Sequence, residues 1–166
     1  MNVERDITFH YISRLRHHSD ELELVVQGHL LIEFVFNEII RRTFKHPRAI
    51  LDDHRSYTFA IKARVLYSTG LLPEHIFRNV QRINAIRNHL AHTLEWEHLK
   101  LDFKFTRHDE QVQGDIEIRD KETKRKPSPK KYIKLLCFGT LSQLRNHFFR
   151  TYGEFPAPAN LQWHGT

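Results

Sequence analysis

Residues 73–94, PEHIFRNVQRINAIRNHLAHTL, decide the fold. Ile76, Phe77, Val80, Ile83, Ile86, Leu90, Ala91 and Leu94 recur at the three- and four-residue spacing that lines one face of an α-helix. Pro73 suits the first helical position, where a missing N–H costs nothing. At about 1.5 Å per residue this segment spans about 33 Å, long enough to be the spine of a helical bundle.

Working outward, the same periodicity continues on both sides. Val3, Ile7, Tyr11 and Leu15 recur at fours and predict a first helix ending near His18. Ser19 is expected to cap a second helix of about 25 residues: Asp20, Glu21 and Glu23 lie in its first turn, Arg41, Arg42 and Lys45 at its end, and Pro47 stops it. Its middle is apolar nearly all round, which asks for burial inside a bundle or a dimer. A short helical turn is expected over 48–53. A third helix runs from Thr58 to Thr69, with Phe59, Ile61, Val65 and Leu66 inward and Gly70 as its C′ residue.

Beyond Trp96 the period changes to two. Leu101, Phe103 and Phe105 alternate with polar residues, as do Ile116 and Ile118, so these segments are two strands of a hairpin or an ordered loop. Residues 120–129 are charged and turn-rich and read as a mobile connection. Ser128 and Pro129 then open a last helix ending near Tyr152-Gly153, with Tyr132, Ile133, Leu136, Leu144 and Phe148 inward. Phe34, Phe36, Phe59, Phe77, Phe148 and Phe149 are all expected in the core. The expected architecture is all-α: an up-and-down bundle of about five helices in one domain, 1–153, with a hairpin or loop insertion at 99–129 and an irregular tail, 154–166.

The composition agrees with a single globular domain. The chain has 166 residues, 40% of them hydrophobic, with only 6 Gly and 6 Pro, which excludes collagen-like and wholly disordered classes. One cysteine, Cys137, forms no internal disulfide, so a reducing, cytoplasmic setting is expected. The N-terminus has no apolar core of a signal peptide, and the most apolar run, Leu30 to Phe36, is too short to span a bilayer, so no membrane partner is expected.

The net charge of +6 is local. Lys121, Lys124, Arg125, Lys126, Lys130, Lys131 and Lys134 fall within fourteen residues beside a single acidic one, Glu122; elsewhere 19 basic residues balance 19 acidic ones. Lys130 and Lys131 stand in the first turn of a helix, where the dipole disfavours cations, so an anion bridging them and the free N–H groups would relieve the conflict. Contact with RNA phosphates from this run would be sequence-independent and salt-sensitive.

No Walker, dinucleotide-binding, zincin, serine-hydrolase or EF-hand motif occurs. What remains is Arg87-Asn88-His89-Leu90-Ala91-His92. Cleaving RNA through its own 2′-hydroxyl needs a proton carrier active near neutral pH, which histidine supplies, and a fixed cation for charge at phosphorus, which arginine supplies. Five helical residues set Arg87 and His92 about 140° apart. One cleft can hold both if the last turn frays or if a second copy crosses a two-fold axis.

An arginine, a polar residue and a histidine four to six positions on, near a helix end of a small helical domain, resembles the HEPN superfamily. Arg87-Asn88-(three residues)-His92 is the shortest such spacing. From roughly Gly28 to Thr93, the stretches GHLLIEFVFNEII, SYTFAIKARVLYSTGLL and INAIRNHLAH are similar to the MltR (mannitol operon repressor-like) family. The resemblance implies a helical bundle, usually a homodimer, and for motif-bearing HEPN members a metal-independent endoribonuclease, at times the toxin of a toxin–antitoxin or defence system with an antitoxin partner. On that implication Arg87 would hold phosphate, His92 would move protons and Asn88 would position. The competing reading is a non-catalytic MltR-like regulator whose motif is structural: Arg87 pairs with Glu33, stranded in the apolar run, and His92 is a surface residue. His89 with His92, and His10 with His17 and His18, have a spacing that suits a metal, but no carboxylate or thiol completes either set, so no metal and no cofactor are expected.

Overall fold

The computed structural model describes residues 21–93 and 100–153; the expected first helix, the Ser19 cap, Leu94, Trp96 and the tail lie outside the described residues. The described chain is mostly helical with one small hairpin. Helix α1 spans Glu21–Thr43, α2 Arg48–Leu51, α3 Phe59–Ser68 and α4 Glu74–Thr93; strands β1, Lys104–His108, and β2, Gln113–Glu117, follow, and α5 spans Pro129–Tyr152. None of the described helices is long and apolar enough to cross a membrane.

The core lies where α1, α4 and α5 meet. Helix α1 contributes Leu24, Val25, Ile32, Val35, Phe36, Ile39 and Ile40, all fully buried, while Leu30 on its outer side is 58% exposed, so the helix is not sheathed all round. Helix α4 buries Ile76, Val80, Ile83, Ile86 and Leu90. Ala91, expected on that stripe, is exposed: five residues on from Ile86, it has rotated about 140° away. Pro73 precedes α4 instead of opening it, and its carbonyl accepts from Ile76 N–H and Phe77 N–H.

On α3 the buried face runs Phe59, Lys62, Ala63, Leu66, an i, i+3, i+4, i+7 set that leaves Ile61 and Val65 half-buried at its margins. Gly70 adopts φ 73°, as a helix-ending glycine does. Helix α5 begins as its sequence predicts, with Ser128 Oγ accepting from Lys131 N–H at 3.3 Å. It buries Tyr132, Ile133, Leu136, Leu144 and Phe148. Phe149, one position round the helix from Phe148, is 53% exposed and is not core, and Phe34 and Phe77 are half-buried.

The hairpin pairs Phe105 with Ile116 and Thr106 with Asp115 in antiparallel register. Its first strand starts three residues later than the alternation from Leu101 predicts, because Phe103 takes the left-handed backbone region, φ 53°, and breaks the extended run. Asp109 closes the turn, its Oδ1 accepting from Gln111 N–H and Val112 N–H at 3.0 and 2.9 Å. The Phe105 ring lies on Gly139 of α5, where a methyl group would stand 2.7 Å from the ring; this close approach explains a glycine in mid-helix.

The hairpin is locked to α4 by Asn79, which is fully buried. Its Oδ1 accepts from Thr106 N–H and its Nδ2 donates to Thr106 O, both at 2.8 Å, so one side-chain amide satisfies both main-chain groups of a strand residue. Arg82, one turn on, reaches Asp102 Oδ2 at 2.8 Å, Asp115 Oδ2 at 2.9 Å and Thr106 Oγ1 at 2.7 Å. From α5, Gln143 Nε2 donates to Thr106 O at 3.0 Å and the Tyr132 hydroxyl lies 2.9 Å from Asp102 Oδ1. Burial and the Asp102 carboxylate raise the Tyr132 pKa far above its ordinary value, which keeps the hydroxyl a donor.

The 120–129 connection, expected to be mobile, closes on itself instead. Asp120 Oδ1 accepts from Glu122 N–H and Thr123 N–H, each at 3.0 Å, Asp120 N–H donates to Arg125 O at 2.8 Å, and the Asp120 carboxylate pairs with Lys131.

Asn79→Ala leaves the Thr106 N–H buried without a partner. We expect a loss of about 2–3 kcal/mol in denaturant-induced unfolding, at the upper end of the range for an unsatisfied buried group, whereas Gln111→Ala at the exposed hairpin tip changes stability by less than about 0.5 kcal/mol.

Candidate functional site

The Arg87 motif lies at the C-terminal end of α4, which stays helical through Thr93. Arg87 and His92 are exposed, and Asn88 and His89 are half-buried. Within one chain, therefore, no fraying of the last turn up to Thr93 brings Arg87 and His92 together, and about 140° of helix separates them. The structure does bring Arg87 and Asn88 together: Arg87 Nη1 donates to Asn88 Oδ1 at 3.1 Å.

The stranded Glu33 carboxylate belongs to another partner. Lys62, from the buried face of α3, donates from Nζ to Glu33 Oε1 at 2.9 Å, with its side chain 2% exposed. The expected Arg87–Glu33 pair is thus replaced by Lys62–Glu33, because α3 presents an ammonium on the same face as Phe59 and Ala63, inside the bundle. Arg87 keeps its guanidinium at the surface.

Glu33 is one of a row. His29, Glu33 and Asn37 follow each other at fours along α1 and make a polar seam in an otherwise apolar helix. His29 is buried and stacked on Phe59 with ring centroids 3.7 Å apart, beside the Asn84 side chain of α4. Burial pulls its pKa below the ordinary imidazole value and the Arg87 charge adds to this, against the opposing pull of Glu33 and Asn84. Asn37 Oδ1 is buried and has no hydrogen-bond partner among the described residues. His29, Lys62 and Asn84 were not picked out from the sequence. The signal for the seam was there in the four-residue spacing of polar side chains through the apolar run of α1.

Lys121, Lys124, Arg125 and Lys126 of the basic run are exposed, and Lys126 sits 5.5 Å above the Phe103 ring. Lys130 and Lys134 are half-buried, and Lys131 is exposed. The external anion expected at the start of α5 has an internal counterpart: the Asp120 carboxylate answers Lys131, and this contact, with the Thr123 and Glu122 N–H groups, holds its pKa far below the ordinary carboxylate value. No group of three or more His, Cys, Asp or Glu suited to a metal ion occurs among the described residues, His89 and His92 included; His10, His17 and His18 lie outside them.

No family model, curated protein or solved structure matches the chain.

Two measurements check this geometry. Lys62→Ala strands a partly buried carboxylate, so we expect a loss of about 3 kcal/mol, restored in large part by the Lys62→Met/Glu33→Leu double variant, while Arg87→Ala shifts unfolding by less than about 0.5 kcal/mol. His29 is harder to protonate in the folded than in the unfolded chain, so the stability it contributes is complete above about pH 6.5 and falls away as pH drops toward its lower folded value. Urea unfolding at pH 7.5 and 5.5 should therefore show a smaller acid loss for His29→Gln than for the parent chain.

Proposed function

We propose that this protein is a HEPN-like, metal-independent endoribonuclease that works as a homodimer. The observation that carries the reading is the exposure of Arg87: the partly buried carboxylate that would have claimed it is neutralised by Lys62. A guanidinium at the surface, steadied by Asn88, suits the charge on a pentacoordinate phosphorus, for which arginine offers planar, paired donors.

His92 is the proton carrier in this reading, and it is exposed on the same helix. Because α4 holds it about 140° from Arg87, the working site joins Arg87 and Asn88 of one copy to His92 of a second copy across a two-fold axis. Attack by the 2′-hydroxyl on the neighbouring phosphorus transfers that hydroxyl's proton to the imidazole; as the bond to the 5′-oxygen breaks, that oxygen takes a proton from the imidazolium or from water, leaving a 2′,3′-cyclic phosphate and a 5′-hydroxyl end. The exposed cations at 121, 124, 125 and 126 would hold the RNA backbone. An antitoxin, or a protein partner that blocks this face, fits the same arrangement.

Incubation with RNA in EDTA tests it. The parent protein should cleave, and Arg87→Ala and His92→Ala should each lose cleavage by at least about a hundredfold while remaining folded. Co-expressed, the two inactive variants should recover about one quarter of parental activity, since half the dimers are mixed and each mixed dimer holds one intact site. Cleavage that is equal in all variants, or absent from the parent, sinks the proposal and favours the non-catalytic regulator. Replacing Lys121, Lys124, Arg125 and Lys126 by glutamine should weaken RNA binding and flatten its salt dependence.

A further inference from the structure

A second site lies at the other end of α4. The start of that helix, the hairpin and the C-terminal half of α5 enclose an open groove of about 1030 Å³ that does not include Arg87. Each wall contributes one imidazole and one guanidinium: His75 and Arg78 from α4, His108 and Arg107 from the hairpin, His147 and Arg150 from α5. Six nitrogenous side chains drawn from three elements converge here, though they are scattered over 76 positions of sequence.

Their bonding state sets what they can hold. The His75 and His108 rings stack with centroids 5.3 Å apart, and no carboxylate hydrogen-bonds to any of the three imidazoles among the described residues. His147 Nε2 lies 2.9 Å from Leu71 O, an acceptor only, so Nε2 carries a proton and donates to that carbonyl. Of the guanidiniums, Arg107 is tied to Asp109, Arg78 is 3.5 Å from Asp115, and Arg150 makes no ion pair among the described residues. Glu74 is the other acidic residue on the walls. Burial, and after it the neighbouring His108 and His147 rings, hold the His75 pKa below the ordinary imidazole value. A dianion placed among them opposes that shift.

The groove also offers flat apolar surface. Phe138 is 39% exposed on its wall, and the Phe105 ring, set on Gly139, lines the floor between the hairpin and α5. A cavity of this size takes a ligand of small-molecule dimensions. We infer that the groove binds a small phosphate monoester carried on a flat ring, with Arg150 and Arg78 on the phosphate, His75 and His108 as proton-bearing donors to its oxygens, and the ring against Phe138. A monoester fits better than a diester because its terminal phosphate offers three acceptor oxygens and up to two charges to the guanidiniums and imidazoles on the three walls.

NMR titration of the full chain with phenyl phosphate tests the inference. Binding should raise the titration midpoints of the His75 and His108 rings by about one pH unit, the effect of an opposite charge within a few ångströms. The groups facing them, Glu74 and Arg78 of α4, Arg107 and Asp109 of the hairpin, and His147 and Arg150 of α5, stay in place in both states. Arg150→Gln and His75→Gln should each weaken binding about tenfold, the worth of one charge-assisted hydrogen bond. Phe138→Ala should weaken phenyl phosphate and leave inorganic phosphate unchanged. No response up to about 10 mM ligand, unchanged affinity in the Arg150 and His75 variants, or equal binding of phenol overturns the site, and inorganic phosphate binding as tightly as phenyl phosphate overturns the ring contact. Adenosine monophosphate against a 5′-phosphorylated trinucleotide tells a free ligand from a strand end. Arg87→Ala should bind as the parent does, and the groove variants should leave any RNA cleavage intact, so this site and the ribonuclease reading can fail separately.

Discussion

The Asn79 amide, closed on both main-chain groups of Thr106, is the contact on which the rest of the arrangement depends. A two-stranded hairpin is marginal by itself in water. This one is held because a fully buried side chain satisfies the N–H and C=O of a strand residue that would otherwise be desolvated without partners. Arg82 extends the attachment through Asp102 and Asp115, and Gln143 and Tyr132 bring α5 to the same point. The partners are mutually satisfied, so the network fixes one placement of the hairpin. That placement sets one wall of the histidine groove and the floor on which Phe105 meets Gly139.

A second constraint works inside the bundle. Glu33 is partly buried, and Lys62 answers it from a helix face that is otherwise apolar. Such a pair is weak evidence for stability, because desolvation offsets most of the attraction. Its consequence is positional: with the carboxylate neutralised from α3, the guanidinium of Arg87 is left at the surface. The neighbouring His29, stacked on Phe59 and beside Asn84, completes a polar seam beneath the motif helix.

Helix α4 thus serves two ends. Arg78, on the groove, and Arg87, at the motif, are nine residues apart, which is about 180° of helical rotation and about 13 Å of rise. They face opposite sides, and a ligand at one does not compete with a ligand at the other.

The sequence by itself determined the helices. Periodicity marked α1, α3, α4 and α5, and Ser128, Pro129, Gly70 and Gly153 marked their ends, because a helix is built from contacts three and four residues apart that a linear chain displays directly. The motif residues and the basic run were legible for the same reason, as local patterns. Partnership was not. That Glu33 meets Lys62 in place of Arg87, that Asp120 answers Lys131 and turns an expected mobile linker into a closed loop, and that His75, His108 and His147 line one groove are outcomes of how separate elements pack. Tertiary structure alone decided these, since a side chain carries its charge in the sequence but acquires its neighbours, and with them its ionisation and its exposure, only when the chain has folded.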